Sequence, residues 1–374
     1  MYRNFIIKIV QNILGGKMNL LVSISRNIYS PDKKSIEKCR TKWNNLIHPK
    51  GTLGRLEDIT AMLSGIYGSY KIEDRPKKCI IAFAADHGVY EEGVSPQVQE
   101  ITRMQFENFT NGKCAVATLA AFNKIDIIPV DIGMKGTEPI YGVLDYKIRQ
   151  GTSNMAIGPA MTADEAVKAI EIGIEVAERC IVDGYKIIGV GEMGISNTTP
   201  ATAIISVMTG KDPKEVTDMG AGLKDELVNH KADVIRKSIE INNPNPTDGI
   251  EVLSKVGGFE IGGITGVILG CAANRTPVVI DGYISYAAAL IAYRINPKSI
   301  EYIIPSHISK EKGSEAALEM LKLEPMMDLG MRLGEGTGAA LAMNIIDSAI
   351  YAYNHMGTFE EEEIGKHMGP GIDY

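Results

Sequence analysis

The chain has little positive charge to spare, few aromatic rings and no long apolar run. Its 39 Lys and Arg stand against 46 Asp and Glu, a net charge of -7 over 374 residues. That balance lacks the basic footprint of a nucleic-acid binder. Aromatic residues make up 6%, with Trp43 the single tryptophan, so a stacking platform for single strands is not expected either. No stretch reaches the roughly 18 uninterrupted apolar residues of a membrane span. The five cysteines (Cys39, Cys79, Cys114, Cys180, Cys271) are odd in number and far apart, with no C-x-x-C pair. Four lie inside apolar runs, where a small buried thiol is the plain reading, and the set fits a reducing cytoplasm. The six histidines are isolated, without H-E-x-x-H or any paired spacing, which speaks against a histidine-built metal site.

At the start, Lys8 interrupts the apolar run and no A-x-A site follows, an argument against a signal peptide. Met18 is a candidate start, and residues 1–20 are expected to be an extension rather than a docking helix.

What the chain does have is apolar content, at 45%, with 39 Gly and 16 Pro scattered through it. That is the composition of a globular protein with a sizeable core. Helical periodicity places Ile36, Cys39, Trp43, Leu46 and Ile47 on one face, and Leu53, Leu56, Ile59 and Leu63 on another. Short apolar runs then recur at 79–84, 125–130, 186–190, 277–280 and 302–304, each followed by a polar residue at a turn. Helical patterns such as 163–182 and 283–295 lie between them. Such alternation predicts an α/β fold, a Rossmann-like parallel sheet covered by helices. The early helices and the last one, 337–356, are expected to form a small helical companion domain. The expected division is an extension at 1–20, a helical segment at 21–75, an α/β domain at 76–335, and a helical segment and tail at 336–374.

Parallel strands end at one edge, so Asp86, Asp131, Glu192, Asp281 and Ser306 are expected to gather along one rim, where open α/β sheets bind ligands. The run Gly189-Val190-Gly191-Glu192-Met193-Gly194 has dinucleotide-type spacing, but no helix follows directly. Pro200 suits a first helical position with Thr199 as cap, and that helix start would favour an anion; an ordinary capped helix is the plainer reading. A nicotinamide-dependent oxidoreductase would need an acidic residue ending a second strand about 20 positions on, whereas Asp212 falls in a turn. In Leu333-Gly334-Glu335-Gly336-Thr337-Gly338, three glycines surround one carboxylate, which lets a ligand approach Glu335 closely; complementing a helix dipole is the alternative. For Asp86-His87, a hydrogen-bonded structural His87 is favoured over a metal ligand or dyad.

In order, Asp86-His87-Gly88-Val89, Gly93-Val94-Ser95, Gly191-Glu192-Met193-Gly194-Ile195-Ser196-Asn197-Thr198-Thr199, Gly220-Ala221-Gly222-Leu223, Asp281-Gly282-Tyr283, Pro305-Ser306-His307 and Leu333-Gly334-Glu335-Gly336-Thr337-Gly338 resemble the nicotinate-nucleotide–dimethylbenzimidazole phosphoribosyltransferase family. The resemblance runs over roughly residues 30 to 360. It implies a pentosyltransferase of cobalamin lower-ligand assembly, moving phosphoribose from nicotinate mononucleotide to 5,6-dimethylbenzimidazole or a related base, with α-ribazole 5′-phosphate and nicotinate as products. By the same resemblance Glu335 is the general base, and Gln99 and Leu333, beside Gly334, line a mostly apolar base pocket. Glu192, Gly194, Asn197 and Thr198 hold the nucleotide, Gly220 and Gly222 form another nucleotide loop, and Lys231 contacts the phosphate, with a surface lysine as its plain alternative. Asp281, Gly282 and Ser306 complete the rim, Asp281 as a candidate for ribose hydroxyls. No metal or cofactor is implied, and the family expectation is a cytoplasmic homodimer. The loop Ser95-Pro96-Gln97-Val98 departs from the family pattern, which leaves the accepted base open.

Overall fold

The computed structural model describes residues 20–361 with the exception of Ala221; the expected extension at 1–20 and the end of the tail lie almost wholly outside that range. The chain opens with helices α1 (Leu20–Arg26), α2 (Lys33–Asn45) and α3 (Arg55–Tyr67), then strand β1 (Lys78–Ala85). Next come α4 (Ile101–Thr110), α5 (Ala115–Phe122), β2 (Asp126–Gly133), the short β3 (Leu144–Asp145), α6 (Ala163–Val182) and β4 (Ile187–Met193). After β4 run α7 (Thr198–Thr209), α8 (Pro213–Val216), α9 (Asp225–Asn242), α10 (Gly249–Val256) and α11 (Phe259–Ala273). The remainder is β5 (Val278–Ile280), α12 (Tyr283–Ile295), β6 (Ile303–Pro305), α13 (Ser314–Leu321) and α14 (Thr337–His355).

The six strands form one sheet in the order β3-β2-β1-β4-β5-β6, and every pairing is parallel. The α/β architecture expected from the five apolar runs is the observed one; β3, two residues long, carries too little apolar signal to be read from sequence. Strand order reverses direction between β1 and β4, the switch point at which open sheets leave a crevice.

Both faces of the sheet are covered, which explains why β1 is apolar without alternation. Cys79, Ile81, Phe83 and Ala85 join the core beneath α6, α7, α11 and α12, whereas Ile80, Ala82 and Ala84 join a second core. That second core holds Trp43 of α2, Ile59 and Leu63 of α3, Phe106 and Phe109 of α4, and Met343, Ile346, Ile350 and Tyr353 of α14. Trp43 donates its indole N–H to Thr60 Oγ1 at 2.6 Å, and Tyr353 donates its hydroxyl to the Tyr70 carbonyl at 2.8 Å. The early and late helical segments thus meet each other and the sheet in one apolar cluster. All five cysteines are free, buried thiols.

On the first face, α6 and α11 pack backbone against backbone. A Cβ built on Gly173 would lie 2.9 Å from Gly266 Cα, and one on Gly266 would lie 2.8 Å from Gly173 Cα. Helix α11 is buried on all sides, as suits a helix apolar all round. A Gly266→Ala substitution must therefore push two buried helices apart. It should destabilise the chain by about 1–3 kcal/mol; a urea midpoint equal to the parent's would contradict this packing.

Candidate active site

At the carboxyl edge of the sheet lies a cavity of about 580 Å³. Its walls come from the β4 exit (Gly191, Glu192, Met193, Gly194, Ile195), the start of α7 (Asn197, Thr198), the β5 exit (Asp281, Gly282, Tyr283), His307 after β6, α4 (Ile101, Gln105) and the loop Arg332-Leu333-Gly334-Glu335.

Glu335 occupies the centre of that last loop. Gly334, Glu335 and Gly336 have φ of 87°, 65° and 100°, three successive residues in the left-handed region. A non-glycine there is uncommon and must be held in place by its surroundings. Three contacts hold it. The Glu335 N–H donates to Glu192 Oε1 at 3.2 Å. Gly336 and Gly338 N–H donate to the two carboxylate oxygens of Asp281 at 2.9 and 2.7 Å. Beneath, Gly191 has no side chain, and a Cβ there would lie 3.0 Å from Gly336 N. The Glu335 carboxylate accepts from Gln105 Nε2 at 2.7 Å and from the Val116 N–H at 3.4 Å. Val116 sits in the first turn of α5, where a negative charge is favoured.

Glu192 is buried, accepting from Asn197 Nδ2 and the Glu335 N–H. Burial, aided by the Asp281 charge, pushes its carboxyl up to about 8. Burial likewise raises Asp281 to about 7, against the backbone donors of the loop it caps. Lys231 and Arg332 stand by the cavity with the buried carboxylate of Glu311, which interacts with both. Lys231 Nζ donates to Thr198 Oγ1 at 2.8 Å and to the Asp218 carbonyl at 3.2 Å, and Arg332 Nη1 donates to the Gly220 carbonyl at 2.6 Å. Lys231 is buried, which pushes its ammonium down to about 8. The surface-lysine alternative thus conflicts with its 1% exposure. An anion at Thr198 and Gly220 would meet this ammonium and the start of α7 together.

Of the candidate residues named from sequence, Glu192, Gly194, Asn197, Thr198, Gly220, Asp281, Gly282, Leu333, Gly334 and Glu335 line the cavity. Lys231 stands just behind Thr198. Gln99, Gly222 and Ser306 are not on the lining. Gln99 points into the protein and donates to the His87 carbonyl at 3.0 Å, while Gln97, Ile101 and Gln105 take the cavity side. Ser306 is fully buried and donates to the Asp281 carbonyl at 3.0 Å. The rim of five strand exits is narrower than expected. Asp131 binds the N–H groups of Gly133 and Met134 and pairs with Lys147, and Asp86 accepts from Lys135 N–H at 2.7 Å; both shape turns.

Helix α7 begins at Thr198, not at Pro200, and Asn197 before it makes no side-chain cap. The Asn197 amide is drawn to Glu192 instead. His87 is buried with Nε2 3.1 Å from Glu260 Oε1, a carboxylate that holds its pKa above the ordinary value against the effect of burial. Sequence reasoning assigns no role to Gln105, Arg332, Glu311 or His307. Arg332, beside the glycine loop, is the one of these with a readable signal.

A family model described as phosphoribosyltransferase matches residues 28–364. A nicotinate-nucleotide–dimethylbenzimidazole phosphoribosyltransferase of Clostridioides difficile (strain 630) is 61% identical over 93% of this chain and 100% of the relative. One from Alkaliphilus metalliredigens (strain QYMF) is 50% identical over 93% of this chain and 99% of the relative. The crystal structure of CobT from Thermus thermophilus superposes with a TM-score of 0.84 at 35% identity, covering 90% of this chain and 100% of that one.

The buried acids make stability depend on pH. The folded chain keeps the Glu192 proton up to about pH 8, against an ordinary 4.5, whereas the unfolded chain releases it at the lower value. This contribution is fully present below about pH 4.5 and is lost as pH rises towards 8. A Glu192→Gln variant should therefore lose less stability than the parent across that interval. Parallel pH profiles of the two denaturation midpoints would count against burial as the source.

Proposed function

The chain belongs to the nicotinate-nucleotide–dimethylbenzimidazole phosphoribosyltransferase family, a group of pentosyltransferases, and on that premise we propose that it moves phosphoribose from nicotinate mononucleotide to 5,6-dimethylbenzimidazole or a related base. The products are nicotinate and α-ribazole 5′-phosphate. The observation that carries the reading is Glu335, held in a left-handed loop inside a cavity that a buried lysine adjoins.

The nucleotide phosphate lies against Thr198, Gly220 and the ammonium of Lys231, with Arg332 beside it. The incoming base lies against Ile101, Met193 and Leu333, with its N–H towards Glu335. The leaving ring is a pyridinium and departs as neutral nitrogen, so no acid is needed. A single carboxylate suffices to take the N–H proton as the other ring nitrogen attacks C1′. Attack opposite the leaving ring inverts C1′, as an α product from a β nucleotide requires.

Of the four carboxylates on the cavity lining, Glu311 is set beside Lys231 and Arg332, and among the other three Glu335 is the most lightly held. Asp281 spends both oxygens on backbone N–H groups, and Glu192 spends one on Asn197 and one on the Glu335 N–H. Glu335 accepts from Gln105 Nε2 at 2.7 Å on one oxygen and only from the distant Val116 N–H, at 3.4 Å, on the other, which is the oxygen left for the substrate.

Purified protein incubated with nicotinate mononucleotide and 5,6-dimethylbenzimidazole should release nicotinate and form the α-riboside phosphate in equal amounts. Absence of turnover with several benzimidazoles and with adenine overturns the reading. Replacing Glu335 by Gln should lower kcat by roughly 10²–10⁴-fold with nucleotide affinity nearly intact; full activity in that variant would leave the family standing and remove Glu335 as base. A Lys231→Ala variant should instead raise KM for the nucleotide, and an unchanged KM would remove that lysine from phosphate binding.

A further inference from the structure

The hydrogen bonds behind the β5 and β6 exits fix the position of one proton. Ser306 Oγ carries a single hydrogen and donates it to the Asp281 carbonyl at 3.0 Å. The same oxygen lies 3.0 Å from His307 Nδ1. Having spent its hydrogen, the hydroxyl can only accept in that second contact, so Nδ1 must bear the imidazole proton. Asp281 Oδ1, 3.8 Å from Nδ1, favours the same tautomer. Burial pushes His307 below its ordinary pKa, which keeps the ring neutral and leaves Nε2 with a bare lone pair.

Among the described residues nothing donates to that nitrogen, and His307 lines the cavity. Gly282 keeps the ring edge open, since a Cβ there would sit 3.3 Å from Cε1 and 3.4 Å from Nε2. The residue is also fixed in place. Tyr286 donates its hydroxyl to the His307 carbonyl, and Ile308 N–H pairs with the Met327 carbonyl at 2.9 Å. The cavity therefore presents a preorganised hydrogen-bond acceptor beside Asp281 and Gly282. Asp281, to which the family resemblance gives the ribose hydroxyls, has both carboxylate oxygens taken by the N–H groups of Gly336 and Gly338.

We propose that His307 Nε2 accepts a hydrogen bond from a ribose hydroxyl of the nucleotide substrate and so selects a ribonucleotide over its deoxy analogue. This rests on the transfer reading above, because that reaction places the ribose between the phosphate and the attacking base. A site built to pair a hydroxyl rejects the analogue lacking it, since the acceptor is then left buried and unpaired.

The test compares nicotinate mononucleotide with its 2′-deoxy and 3′-deoxy analogues in the parent and in His307→Asn. The asparagine amide can occupy the place of Nδ1 and still donate to Ser306, but it has nothing at Nε2. The parent should disfavour one analogue by about tenfold to a hundredfold in kcat/KM. In the variant that ratio should fall close to one, with the loss falling on the ribonucleotide. Equal discrimination in both proteins overturns the proposal, as does a parent indifferent to both hydroxyls. Nitrogen-15 NMR of the parent, with His307 assigned through its backbone connections to Ser306 and Ile308, gives a second readout free of turnover. It should show an unprotonated Nε2 whose resonance moves on adding nicotinate mononucleotide. A protonated Nε2, or one unmoved by saturating nucleotide, overturns the proposal even if the variant fails to fold. Failure of the transferase assay would sink the transfer reading, while this nucleotide titration still decides the contact.

Discussion

The site depends on one close approach, that of the loop 334–336 to the end of β4. Gly191 has no side chain, so the backbone of Glu335 and Gly336 settles directly on the strand. Two carboxylates from neighbouring strand exits then grip the loop by its N–H groups, Glu192 from β4 and Asp281 from β5. Each partner needs the others. Without the loop's N–H groups, Glu192 and Asp281 would be two acids buried beside each other with little compensation. Without the acids, a glutamate at φ 65° between two left-handed glycines would relax elsewhere. The helix that follows, α14, carries the consequence outward, because Asp281 caps its first turn and its apolar face is a large part of the second core. The fold and the position of the Glu335 carboxylate are therefore specified by the same contact.

That arrangement divides the cavity electrically. Glu192, Asp281 and Glu335 gather around the loop, whereas Lys231 and Arg332, with Glu311 beside them, stand by Thr198 and Gly220 at the start of α7. A nucleotide with an anionic phosphate and a cationic ring matches such a division. Preorganised charge of this kind is effective because the protein need not reorganise as charge develops in the transition state. The overall charge of -7 has no bearing on this, since the local charges are one buried ammonium, one guanidinium, the Glu311 carboxylate and backbone dipoles.

Much of this is legible in the sequence, for identifiable reasons. A strand buried on both faces is a continuous apolar run, and β1, β2, β4, β5 and β6 each leave that mark; β3, with two paired residues, leaves none. The Gly-Glu-Gly pattern around 335 is readable because it is poor design for a simple helix start. Side-chain direction is not readable. Gln97, Gln99 and Gln105 are chemically alike, yet Gln99 turns inward to the His87 carbonyl while Gln105 holds Glu335; the difference is set by how α4 docks over the cavity. The division of labour among carboxylates is hidden for the same reason. Asp281 reads as a free acid at a strand exit until the last helix, over fifty residues away, arrives to use it.

The hydrogen bonds that tie Asp281 to the loop sharpen the proposed chemistry. A carboxylate available to ribose hydroxyls would also be available to the attacking base's proton, and three equivalent acids around C1′ would leave the proton's destination undefined. Commitment removes that ambiguity. Asp281 and Glu192 are held by backbone and amide donors and are raised to about 7 and 8 by burial. Protonation of either near neutral pH lessens repulsion towards Glu335, and what keeps both from the proton in flight is that their oxygens are occupied by N–H donors. Glu335 stands at a helix N-terminus with a side-chain amide beside it, contacts that orient its carboxylate. Separating the environments of neighbouring acids is how a site assigns one of them the proton transfer. Here the separation is made by backbone N–H groups that the loop supplies as a condition of folding.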